Sequence, residues 1–221
     1  MKTKIKIGIL VSGSGSNLQS IIDNIEKGKL TASISVVVSN IEDAFALERA
    51  RKHNIPSIAI NHRDFSTRED FEAELAAVLK SFHVDLVVLA GFMRVLSPYF
   101  IKSFPRRIIN IHPALLPSFP GVHAQRQALD YGVKFTGCSV HFVDEGVDTG
   151  PIIIQAAVPV HDDDSESSLS ERILLEEHRI LPEAIELYVS GSLIFTDGRL
   201  RINRSGKSDV PATHNPPLQI F

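Results

Sequence analysis

A single cysteine, Cys138, occurs among 221 residues, so an internal disulfide is excluded and a reducing compartment suits the chain. No apolar run approaches the roughly 18 residues that a transmembrane helix needs. The basic opening Met-Lys-Thr-Lys-Ile-Lys-Ile leads into too short an apolar stretch for a signal peptide, and reads as a first strand. An excess of one charge is missing as well. The net charge of −3 gives no electrostatic case for nucleic acid or an anionic membrane. Internal repeats, low-complexity tracts and a convincing linker are absent too. With 43% hydrophobic and 22% charged residues, what remains is a cytoplasmic globular protein of one large α/β domain or two small ones.

Among chemical motifs, the absences are equally selective. No Cys/His spacing suggests zinc, and no Gly-Lys-Ser/Thr sequence ends a P-loop. The third glycine of a dinucleotide fingerprint is replaced by Leu18. The run His161-Asp162-Asp163-Asp164 is explained as an acidic approach to a helix as well as by a metal. Cys138 reads as packing rather than a nucleophile.

What is present alternates. Residues 5–11 form a β-branched apolar run, followed by a helix starting near Asn17 and stopping at Gly28. Strands are predicted at 34–39, 55–60, 84–90 and 108–112, and helices at 43–53 and from a Ser66–Glu69 capping box to about Phe82. This pattern predicts an α/β fold, a mainly parallel twisted sheet with helices on both faces and a Rossmann-like N-terminal half. Antiparallel additions follow. Strands are predicted at 135–144 and 152–160, then a helix over 165–189 kinked at Pro182, and a hairpin over 193–202. The tail from Ser205, without periodicity, is expected to be poorly ordered.

Three places carry chemistry. Gly13 and Gly15 lie between a buried strand and a helix, where backbone N–H groups and the helix dipole favour an anion. The loop either binds a small monophosphate or is a tight turn capped by Ser16 or Asn17. In Ile108-Ile109-Asn110-Ile111-His112-Pro113, the alternation of an extended segment puts Asn110 and His112 on one side, and Pro113 keeps His112 extended. An amide donor beside an imidazole suits acyl chemistry at the carboxyl end of a parallel strand. A surface histidine with a structural asparagine is the alternative. The acidic turn at residues 144–151 has a carboxylate that either reaches this imidazole, fixing its tautomer, or is merely solvated. It lacks the regular oxygens of a calcium loop.

Together, Gly-Ser-Gly-Ser-Asn (13–17), Leu-Ala-Gly-Phe-Met-Arg (89–94), Asn-Ile-His-Pro-Ala-Leu-Leu-Pro (110–117) and Val-Asp-Thr-Gly-Pro (147–151) resemble the phosphoribosylglycinamide formyltransferase family, over roughly residues 5–202. The resemblance implies formyl transfer from 10-formyltetrahydrofolate to the amine of phosphoribosylglycinamide. It implies Asn110, His112 and Asp148 as catalytic residues: an oxyanion donor, a proton shuttle and the carboxylate that orients the shuttle. Gly15, Ser16 and Asn17 would hold the phosphate, with Glu177, or its neighbour Glu176, on the ribose. Arg68, Met93, Arg94, Val95, Leu96 and Asn110 would face the folate. Small molecules are the implied partners, with no metal, nucleic acid or membrane, and with monomer and homodimer both open. One formyltransferase domain over 1–204 is expected, with a phosphate-binding half (1–105) and a catalytic, folate-binding half (106–204). Ala114 stands where the family often has serine. Another formyltetrahydrofolate enzyme, or a non-catalytic phosphosugar-binding module, is the alternative.

Overall fold

A computed structural model describes residues 4–203. The elements run β1 (Ile5–Val11), α1 (Ser16–Glu26), β2 (Ala32–Ser39), α2 (Phe45–Lys52), β3 (Ser57–Ala59), α3 (Arg68–Ser81), β4 (Leu86–Leu89), α4 (Pro98–Ser103) and β5 (Ile108–His112). They continue with α5 (Ala124–Tyr131), β6 (Phe135–Phe142), β7 (Ile152–Pro159), α6 (Glu166–Val189), β8 (Leu193–Thr196) and β9 (Arg199–Ile202). The predicted tail from Ser205 lies outside the described residues.

Seven strands form one sheet in the order β3-β2-β1-β4-β5-β6-β7. The first five pair in parallel, while β6 joins β5, and β7 joins β6, antiparallel. The central strands β1 and β4 are buried because both faces of the sheet are covered, as their nearly unbroken apolar runs require, while the edge strands β3 and β7 are partly exposed. Along β1, Ile7, Ile9 and Val11 face one core with α1 and α6, and Leu10 faces the other with α3 and α4. One residue of register therefore separates two hydrophobic layers.

The predicted architecture holds, with local corrections. The cap of α3 is Thr67, whose hydroxyl accepts from Asp70 N at 3.1 Å, one residue beyond the expected Ser66–Glu69 pair. Consecutive hydroxyl residues followed by consecutive acids offer two registers of the same motif, and only one fits the chain's entry. Nor is α1 capped by Ser16 or Asn17: its N-cap is Gly15, in the left-handed region at φ 71° with no side-chain cap. The long helix is α6, capped by Ser165 and continuous through Pro182.

Candidate active site

β1, β4 and β5 are parallel neighbours, so their carboxyl ends open on one edge of the sheet. A cavity of about 580 Å³ lies beyond β4 and β5. Its walls include Met93, Arg94, Val95 and Leu96 from the loop after β4, Asn110 and His112 from β5, and Asp148 from the turn before β7. The loop after β4 is tied to the loop after β1. Ser12 N donates to Gly91 O at 3.0 Å, and Met93 N donates to Ser12 Oγ at 2.8 Å.

Asn110 and His112 share a face because β5 is extended, and His112 is almost wholly buried. Its Nδ1 lies 3.4 Å from Asp148 Oδ2. Its Nε2 is 2.9 Å from the carbonyl oxygen of Phe119, an acceptor only, which places a proton on that nitrogen. Asp148 itself takes φ 55°, which turns it inward, and Gly121 N donates to its Oδ2 at 2.8 Å. Burial pushes the Asp148 carboxyl up, but hydrogen bonds from His141 and Gly121 and the two neighbouring imidazoles outweigh that and hold it below its ordinary value.

The sequence reading missed His141. It stands directly across from Asn110 in the antiparallel β5–β6 register. Its Nδ1 faces the Phe142 carbonyl at 2.9 Å, so Nδ1–H donates there. Its Nε2 faces Asn110 Nδ2 at 3.2 Å and Asp148 Oδ1 at 3.5 Å. Alternation along residues 135–144 puts His141 opposite the apolar Cys138, Val140 and Phe142, and that was the available signal. Ser139, on the same face as His141, holds the turn after His112. Its hydroxyl donates to Ala114 O at 2.7 Å and accepts from Leu116 N at 3.0 Å. Cys138 is buried, which pushes its thiol far up and keeps it inert.

The second cluster sits where β1 enters α1. Asn17 is 7% exposed, and its Nδ2 donates to Glu177 Oε2 at 2.7 Å, while its Oδ1 is buried with no partner. An orphaned buried acceptor is costly unless something completes it. Burial raises the Glu177 carboxyl, and the hydrogen bond from Asn17 offsets part of that. Glu176 instead grips Arg179 at 2.8 Å, so Glu177 is the glutamate that faces the loop. Gly15, Ser16, Asn17 and Glu177 stand outside the ring of residues around the cavity.

Arg68 also lies outside that ring. Its Nε donates to buried Glu72 at 3.1 Å, behind the cavity wall. The acidic run before α6 is used structurally: Asp164 accepts from both Nη atoms of Arg172 at 2.7 and 2.8 Å, and Asp162 pairs with Lys134. Among the described residues, no group of three His, Cys, Asp or Glu side chains is arranged for a metal. No helix among them is long and apolar enough to cross a membrane.

Known proteins resemble this chain in sequence and in fold. The chain is 49% identical over 193 residues to the trifunctional purine biosynthetic protein adenosine-3 of Drosophila melanogaster, covering 86% of itself but only 14% of that protein. It is 44% identical to the phosphoribosylglycinamide formyltransferase of Escherichia coli (strain K12), over 91% of this chain and 92% of that one. The crystal structure of glycinamide ribonucleotide transformylase 1 from Symbiobacterium toebii superposes with a TM-score of 0.89 at 50% identity, covering 91% and 95% of the two chains. The family described as formyl transferase matches residues 5–185, and this chain belongs to it.

Proposed function

We propose that this chain transfers the formyl group of 10-formyltetrahydrofolate to the amine of N1-(5-phosphoribosyl)glycinamide, a step of purine (IMP) biosynthesis, acting as one formyltransferase unit over residues 1–204. The observation that carries this reading is the placement of two sites at the carboxyl ends of neighbouring parallel strands. An uncapped helix start with the Asn17–Glu177 pair lies at the end of β1, and a cavity containing Asn110, His112 and Asp148 lies beyond β4 and β5. The Escherichia coli relative of matching length bears the name of this activity.

In this reading Gly15, Ser16 and Asn17 take the phosphate through backbone N–H groups and the helix dipole. Glu177 takes ribose hydroxyls, for which a buried carboxylate is a strong acceptor. Met93, Arg94, Val95 and Leu96 flank the flat folate heterocycle, and Arg68 contacts the folate from its place beside Glu72.

The amine nitrogen bonds to the formyl carbon, the bond from that carbon to the folate nitrogen breaks, and one proton passes from the attacking amine to the departing nitrogen. Asn110 donates an N–H to the oxygen that becomes negative. His112 carries the proton; passage through Nε2 requires its contact with the Phe119 carbonyl to break. Asp148 holds the ring from Nδ1 and stabilises its charged form. Each such group typically contributes about 10²–10³-fold in rate. No step needs a metal, and the cytoplasm supplies both small molecules to a monomer or homodimer.

The test is to follow folate deformylation with and without phosphoribosylglycinamide. Amine-dependent release is expected. Release without the amine would indicate a hydrolase, and no release in either arm would overturn both.

A further inference from the structure

The loop at residues 13–17 is gripped from behind by α2. Ala46 N donates to Gly13 O at 3.1 Å, and Arg49 Nε donates to Ser14 O at 2.8 Å. Peptide groups are planar and trans, so a carbonyl turned toward α2 turns the next residue's N–H away from it. The N–H groups of Ser14 and Gly15 therefore point to the side of the loop opposite α2. Gly15 permits this close approach: a Cβ there would lie 2.6 Å from that of Ala46.

Arg49 is also fixed as a charge. Its Nη1 donates to Gln19 Oε1 at 3.2 Å, and its guanidinium carbon lies 4.9 Å from the centre of the Phe45 ring. A guanidinium held on a carbonyl, an amide and an aromatic face loses little further freedom when an anion arrives. Nearby His178 does not share this task. Burial, and then the Arg49 charge itself, push its imidazole below the ordinary range, against a smaller opposing effect of Asp23.

We propose that Arg49 is a positioning and specificity residue for the loop at 13–17: it aims the loop's N–H groups and supplies the fixed positive charge that selects a phosphorylated amine substrate. The proposal rests on the function proposed above. A phosphate monoester carries close to two negative charges near neutral pH, so a cation behind the nest favours it over an uncharged sugar.

The experiment compares the whole chain with its Arg49→Gln and Arg49→Lys variants, each first checked for an unchanged thermal melt. Arg49→Gln should raise KM for phosphoribosylglycinamide about 10–100-fold, as expected for losing the charged hydrogen bond that holds the Ser14 carbonyl together with the positive charge behind the loop. Its kcat and its KM for the folate should stay within about two-fold, which a general loosening of the fold would not allow. Arg49→Lys should recover part of the loss, because it keeps charge but not the fork. Titration with inorganic phosphate should weaken in the same order. An unaltered substrate KM in both variants, or parallel losses for both substrates, would overturn the proposal. If the unsubstituted protein formylates nothing, the function reading fails, and the inorganic phosphate titration alone decides for or against Arg49.

Discussion

The carboxylate of Glu72, buried on α3, accepts the backbone N–H of Ser97 at 2.9 Å. It also accepts the Ser97 hydroxyl and, at 3.1 Å, Arg68 Nε. At the other end of the same segment, Ser12 accepts from Met93 N. The wall formed by residues 93–96 is thus held at both ends, and one end depends on a buried acid.

Removing that acid leaves the Ser97 N–H and hydroxyl buried without an acceptor. Glu72→Ala is expected to destabilise the fold by about 2–3 kcal/mol, measured by urea unfolding. It should also raise KM for the folate more than KM for the phosphorylated amine. Equal rises in both would show that the wall is not positioned by Glu72.

His112 and Asp148 should behave as one unit. If Asp148 acts only through His112, the losses in kcat from His112→Ala and Asp148→Asn should be strongly non-additive. Additive losses would mean that Asp148 has a second task, for which its contact with His141 is the candidate.

Glu177 is held in the fold at a cost that depends on pH. Its carboxyl is raised in the folded state by burial, so its contribution to stability is fully present below the unfolded value of about 4.3 and is lost as pH rises through the folded value. Glu177→Gln should therefore melt higher than the natural protein at pH 8 and equally at pH 4. It should raise KM for the phosphorylated amine about 10-fold. A lower melting temperature at pH 8 would contradict this account.

Two glycines in one loop should respond differently to alanine. Gly15→Ala meets both a left-handed backbone and the Ala46 contact, and should cost about 1–3 kcal/mol. Gly13→Ala has open space around its Cβ and should change the melting temperature little. Equal effects would mean that the approach of α2 to Gly15 is not tight.

The alternating elements, the Gly-Ser-Gly-Ser-Asn turn between β1 and α1 and the Asn110–His112 face were legible because each is local: a period, a turn composition, a two-residue spacing. Helices α4 and α5 were not: six residues are too few to display an amphipathic period, and α5 buries only two alanines, Ala124 and Ala128, so no large apolar stripe marks it. His141 and Glu72 were hidden for a different reason. Each acquires meaning from a partner 31 or 25 residues away, through a strand register or a helix-to-loop contact. Glu177 was named only by resemblance, since 160 residues separate it from Asn17.

Helix α6 touches both the cavity and the Asn17 cluster. Glu166, at its first turn, lies at the cavity, and Glu177, eleven residues on, meets Asn17. At 1.5 Å per residue, that is a rod of about 16 Å between the two contacts. Any axial shift that one substrate imposes is delivered to the other site by the same rigid body. Linkage then requires the effect to be mutual: each substrate must alter the affinity of the other by one common factor. Dissociation constants that ignore the second substrate would mean that the rod stands still.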